Sequence, residues 1–172
     1  MEPIFINKLK HTKEIFIETN KTYSKASRTA SSIIIFAFYF ILALSLYFLC
    51  YETFSAILLF VFGTVLSFYP TWRLYIFARR REKQLLELYD SVPECETLFY
   101  DDHLFSIGIT SKEEQNIRYS KIKKIKQSKN LYLLILGNKV VVMVDKNRFE
   151  KGTCKEFEKF ITEKAVNAKI RL

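Results

Sequence analysis

The chain has 172 residues, 49% hydrophobic and 26% charged, with a formal net charge of +9 in which 19 Lys outnumber 8 Arg. Without an arginine-rich or aromatic-interleaved motif, this charge suits the anionic leaflet of a membrane better than nucleic acid. Four dispersed glycines, Gly63, Gly108, Gly137 and Gly152, do not build a phosphate-cradling loop, and the G-x-S-x-G, H-E-x-x-H and Cys-His signatures are absent from the sequence, so an enzyme is not expected.

Residues 1–28 hold six basic and three acidic side chains. IFINKL reads as an edge strand and residues 12–28 as a helix leading onward. From Ala30 to Trp72 the chain then runs 43 residues with Glu52 as its one charged side chain. As a single helix this would reach roughly 65 Å, about twice the hydrocarbon thickness of a bilayer. The polar pair Glu52-Thr53 therefore marks a hairpin tip, with spans at about residues 30–51 and 54–72. Lys21, Lys25 and Arg28 precede the first span, and Arg73, Arg79, Arg80, Arg81 and Lys83 follow the second, while the tip carries no basic residue. Basic flanks resist translocation, so both termini are expected in the cytoplasm. The apolar run is too long for a signal peptide and has no cleavage site at its end.

Tyr47 and Tyr51 fall toward the outer interface, Tyr69, Trp72 and Tyr75 toward the inner one. Ala43, Ser45, Ser55, Ala56, Gly63 and Ser67 offer small surfaces for helix approach, and Pro70 is expected to kink the second helix. Cys50 is placed near the outer end of a span, with Cys95 and Cys154 in the reducing cytosol. No C-x-x-C pair joins them, and all three read as ordinary small residues.

ARRREKQLLELYD continues as a juxtamembrane helix over residues 78–91, with Leu85, Leu88 and Tyr89 at helical spacing until Pro93 stops it. Arg79, Arg80, Arg81 and Lys83 crowd its first turns and are the candidate contacts for anionic headgroups. Strands follow. ETLFY and LFSIGI flank Asp101-Asp102-His103, a turn rather than a metal site, with Phe105, Ile107 and Ile109 on one face. NIRYSKIKKI breaks alternation, which predicts a bulge or one helical turn at residues 120–122. LYLLIL (residues 131–136) and KVVVMV (139–144), joined by Gly137-Asn138, read as central, well-covered strands. Thr153 and Glu156 stand at capping-box spacing before a closing helix that puts Phe157, Phe160, Ile161, Ala165 and Ala168 on one face. About 80 residues of this kind pack as a sheet or partly closed barrel of five or more strands plugged by the last helix.

The order of these parts, two spans and then FYDDHL, IRYSKIKKI, NLYLLI, VVMVDKNRF and a helix with EFEKFI, resembles the YcxB-like family of bacterial membrane proteins over most of residues 30–165. The resemblance implies a pleckstrin-homology-like C-terminal domain, a bent antiparallel β-sandwich closed by one helix. Tyr119, Ile122, Lys146 and Phe149 lie in the matching motifs without an assigned role. Asp145 stands where the family tends to have Pro before Lys.

The fold expected is therefore a membrane α+β protein. It has a cytoplasmic segment (1–28), a transmembrane hairpin (29–77), a juxtamembrane helix (78–91) and a pleckstrin-homology-like domain (92–172). The family supplies no established activity, so function rests on site chemistry. The expected function is a non-enzymatic, membrane-anchored binding or regulatory module in the bacterial cytoplasmic membrane. Its β domain would engage a protein, peptide or lipid headgroup, with no metal or cofactor. Its partners would be the bilayer and a protein or a second copy. The alternative is a ligand-gated membrane effector or toxin-immunity component acting through oligomerised hairpins.

Overall fold

Phe5, Asn7 and Leu9 alternate with Ile6, Lys8 and Lys10, a period of two that makes strand β1 (Phe5–Lys10) and buries the odd-numbered face. In the computed structural model, which describes residues 2–49, 51–137 and 140–171, β1 is followed by helix α1 (Lys13–Tyr23). Helices α2 (Lys25–Leu49), α3 (Thr53–Ser67) and α4 (Tyr69–Tyr89) come next. The chain divides into two compact units, Ser24–Phe77 and the combination of Met1–Tyr23 with Ala78–Leu172.

In the first of these, α2 and α3 form an antiparallel pair closed at Tyr51, whose φ of 57° lies in the left-handed region. Buried Ala43, Ala56 and Gly63 bring the backbones together. A Cβ on Gly63 would lie 2.2 Å from Cβ of Tyr39, so only glycine fits that crossing. Most of the remaining apolar side chains face outward: Ile33, Ile34, Ile41 and Phe48 are more than 60% exposed. A soluble core helix would bury them; Lys25–Leu49 and the helical run Thr53–Tyr89, in which α4 follows α3, are long and apolar enough to cross a membrane. The helix is interrupted at Phe68, where Pro70 supplies no N–H and the flanking turns tighten, Phe68 donating to Val65 and Thr71 to Phe68. Cys50 lies outside the described residues.

The other unit is built of strands β2 (Glu94–Phe99), β3 (His103–Gly108), β4 (Glu114–Arg118), β5 (Ile122–Gln127), β6 (Leu131–Leu136), β7 (Val141–Asp145) and β8 (Phe149–Lys151). Helix α5 (Cys154–Lys164) and a last strand, β9 (Lys169–Arg171), complete it. The strands form a five-stranded sheet in the order β4-β3-β2-β1-β8 and a four-stranded sheet in the order β7-β6-β5-β9. All pairs are antiparallel except β5 with β9. A 3₁₀ turn at Tyr119–Lys121 and a register shift between Ile122 and Lys124 turn the chain from one sheet to the other, as the broken alternation anticipates.

Both faces of β6 are buried. Tyr132, Leu134 and Leu136 join Phe99, Leu104, Ile122, Ile125, Phe157 and Ile161 in the main core, while Leu131 and Leu133 meet Leu9 and Ile15 on the other side. A strand covered twice reads as an uninterrupted apolar run, which LYLLIL is. The α5 capping box is present: Glu156 N–H donates to Thr153 Oγ1 at 3.3 Å and Thr153 N–H to the Glu156 carboxylate at 3.0 Å.

Several expectations are corrected. β1 is interior, paired to β2 on one side and β8 on the other, because the three-residue β8 has no alternation by which to foresee it. β7, expected to be central, ends its sheet and runs over Val141–Asp145; Asn138 and Lys139, which begin the expected strand and complete its loop, lie outside the described residues. The helix expected over residues 12–28 breaks at Ser24. Lys126 Nζ holds the carbonyls of Thr22 and Tyr23 there at 3.1 Å, satisfying acceptors that the end of α1 leaves open. Phe105 and Ile107 do share one face of β3, and it is the outer one, with the Lys8–Glu96 ion pair; the core residue of β3 is Leu104, and the strand ends at Gly108, before Ile109. Leu88, expected in an apolar seam with Leu85 and Tyr89, is 70% exposed.

Candidate functional site

The antiparallel ladder between β6 and β7 decides which backbone groups are free. Leu136 N–H donates to Val140 C=O and Lys146 N–H to Asn130 C=O, both at 2.9 Å, so the hydrogen-bonded pairs fall on even-numbered residues of β7. Val141, Met143 and Asp145 therefore direct N–H and C=O away from β6. Asp145 is answered by a side chain: Asn7 Nδ2 donates to Asp145 C=O at 2.7 Å and Asn7 Oδ1 accepts from Asp145 N–H at 3.0 Å. Asn7 is 1% exposed, and its amide stands in for a strand residue at that end of the edge.

Val141 and Met143 have no such partner among the described residues. Their edge borders a cavity of about 180 Å³ between β7 and the inner face of the five-stranded sheet, where Ser106, Ser111, Gln115, His11, Cys95 and the acidic Glu113 supply the polar lining. Gln115 and Val140 also belong to a more open groove of about 580 Å³ beside β4, lined by Ile117, Leu136, Arg118 and Lys121. A Cβ on Gly137 would come within 3.1 Å of Lys123 Nζ, which places a third basic group at the groove.

The chemistry available is hydrogen bonding and charge. Burial pushes the Cys95 thiol up to about 11, so it remains neutral and a poor nucleophile. His11 stacks on Phe16 at 5.9 Å; burial, helped by the Arg81 charge, holds its pKa below the ordinary 6.5. The unfolded chain thus binds a proton on His11 more readily than the folded one, and stability falls as pH drops below about 6.5. Glu18 behaves in the same sense lower down. Burial raises its pKa, but hydrogen bonds from Asn130 and Ser128 and the charge of Lys146 outweigh this, and its contribution is lost below about 4.5. A proton NMR titration should find His11 below 6.5, moving up in Arg81→Gln; an unshifted titration in both proteins contradicts the burial.

The positions singled out in the sequence separate into two kinds. Arg79, Arg80, Arg81 and Lys83 are all exposed on α4. Lys83 meets Glu87 at 3.4 Å, and Glu82 accepts the N–H of Lys13 at the start of α1. Tyr119, Ile122, Lys146 and Phe149 are framework residues. Ile122 is core, and the Tyr119 hydroxyl donates to Tyr100 C=O at 2.7 Å. Lys146 Nζ donates to Ser128 C=O and lies 4.7 Å from the centre of the Tyr132 ring. Phe149 packs edge-on to Phe5. Asp101 and Asp102 form a hairpin turn, bonded to Lys164 and His103 at 2.6 Å each, and no metal-binding group of three occurs among the described residues. Neither Asn7 nor the β7 edge stands out in the amino-acid sequence; the one signal for Asn7 is a polar residue on the apolar parity of β1.

This strand framework is what known families can be compared with. Residues 99–161 match the family model described as YcxB-like protein. The YcxB-like segment runs from the end of β2 into α5, so β1, α1, the membrane-type helices and β9 lie outside it, a shorter stretch than the resemblance over residues 30–165 suggested. It contains Ser106, Gln115 and all of β7, while Asn7, Leu9, His11 and Cys95 come from outside it. Neither the curated proteins nor the solved structures give a significant match.

Proposed function

We propose that the protein is a non-enzymatic, membrane-anchored binding module. Helix α2, and α3 with the first turn of α4, cross the bacterial cytoplasmic membrane with both termini inside, and a pleckstrin-homology-like β unit engages a ligand at the cytoplasmic face. The observation that carries the reading is the cavity beside β7, where a strand edge meets the side chains of Ser106 and Gln115, none of them with a hydrogen-bond partner among the described residues. The basic flanks of the apolar helices support the orientation, and Arg79, Arg80, Arg81 and Lys83 are proposed to contact anionic headgroups.

A photo-crosslinking residue at Gln115, on the rim of the cavity, should give adducts in native membranes that the same residue at Lys159, on α5, does not. Identical patterns from both sites would sink the reading. A Lys159→Cys variant should resist an impermeant thiol reagent in intact cells and react after permeabilisation. In nanodiscs, hydrogen exchange over residues 78–83 should slow when anionic lipid is added; equal rates in neutral discs leave these side chains a purely topological role.

A further inference from the structure

We infer that the outer edge of β7 accepts an extended, acidic peptide segment of a partner protein as an added strand, with Val141 and Met143 supplying the backbone hydrogen bonds. This rests on the binding-module reading and names the class of its ligand.

Two residues spaced i and i+2 on a free edge offer two N–H and two C=O groups in the plane of the sheet, the pattern that an incoming strand completes. The protein already uses this edge in the same way. At Asp145 the next pair of outward groups is occupied by the Asn7 amide at 2.7 and 3.0 Å, a side-chain copy of a peptide unit. Asn7 thereby fixes where an added strand must stop, leaving it two residues of β7 to pair with. Opposite those residues, Ser106 and Gly108 keep the cavity wall low, and neither Ser106 nor Gln115 makes a side-chain hydrogen bond among the described residues.

Charge selects the kind of peptide. Past Val140 the edge gives onto the groove beside β4, whose charged lining residues, Arg118 and Lys121, are both basic, with Lys123 near Gly137. Ile117 and Leu136 supply an apolar floor. Glu113, in the cavity lining, confines acidic side chains to the end of the segment that lies over this groove, where an apolar side chain next to acidic ones meets both features and a basic segment meets like charge.

The full chain in nanodiscs, panned with a displayed library of random nonapeptides against empty discs, provides the test. Selected peptides should be rich in Asp and Glu. Backbone N-methylation at alternate residues should weaken binding by about tenfold in one parity and little in the other, since only one set of N–H groups faces the edge. Amide exchange should slow at Val141 and Met143 on binding. Met143→Pro removes an N–H that the β6 ladder does not use, so it should abolish binding while amides of β6 keep their protection. Arg118→Glu with Lys121→Glu should turn the selection toward basic peptides.

Peptides that bind equally well with either parity methylated, or that protect other amides, would overturn the strand-edge site while leaving a binding module. No enrichment over empty discs would also overturn it. The broader reading falls separately, if crosslinking from Gln115 yields nothing specific.

Discussion

Phe157→Ala should cost the β-rich unit about 3–5 kcal/mol, the range for emptying a fully buried aromatic position. Phe157 is 0% exposed and is ringed by Phe99 at 4.7 Å, Phe149 at 5.1 Å, Phe5 at 5.6 Å and Tyr132 at 5.7 Å. These partners come from β2, β8, β1 and β6, that is, from both sheets. Removing the ring leaves a cavity where the sheets and α5 converge, and no single side chain there can collapse to fill it. Phe160, the other aromatic expected as an anchor, is half-buried against Phe5 and Tyr119 and should lose less. With the full chain in bicelles, exchange of the β6 amides reports global opening of this unit. The Phe157→Ala rates should rise by about two to three and a half orders of magnitude, given tenfold per 1.4 kcal/mol. Unchanged β6 exchange would mean that α5 does not hold the two sheets together.

The elements with a strong local cause are the ones legible in the amino-acid sequence. The capping box at Thr153 and Glu156 needs only residues three apart, and it is there. LYLLIL is apolar on both parities because both of its faces are covered, and the 3₁₀ turn at Tyr119–Lys121 shows as a break in alternation. What escapes depends on neighbours distant in sequence. The parity of β3 is a case: HLFSIG carries apolar residues on both faces, and Leu104 rather than Phe105 becomes core because of the register with β2 and β4. β8 and β9, three residues each, have too little length to show a period. β1 could not be recognised as interior without β8, nor could the β7 edge be located without the strand order.

The candidate site was unreadable for the same reason. Its side chains come from β1, the turn after it, β2, β3, the β3–β4 turn, β4 and β7, and the groups that matter most are backbone N–H and C=O, identical at every residue. Which of them are free follows from hydrogen-bond parity alone. Arg79, Arg80, Arg81 and Lys83 were conspicuous because charge is visible in a sequence, whereas a strand edge is not.

Asn7 should prove the most sensitive polar position in the chain. With the side chain 1% exposed, Asn7→Ala strands the N–H and C=O of Asp145 against the sheet, at about 1–3 kcal/mol for each group left without a partner, about 2–6 kcal/mol together. Water entering the vacated space would hold the cost toward the lower figure. Asn7→Leu separates the two contributions, since it has the same number of side-chain heavy atoms branching at Cγ, fills the space with a somewhat larger group and offers no hydrogen bond. If the amide acts as a substitute strand, both variants should lose similar stability, and the Asp145 amide should exchange much faster than that of Val144, whose N–H remains in the β6 ladder. The packing of β1 across the end of β7 would loosen with it, because the side-chain amide is the hydrogen-bonded link between the two strands. A Leu variant that keeps the parent stability and slow Asp145 exchange would show that Asn7 serves only as filler. Such a result would also remove the internal precedent for an amide docking on the edge of β7.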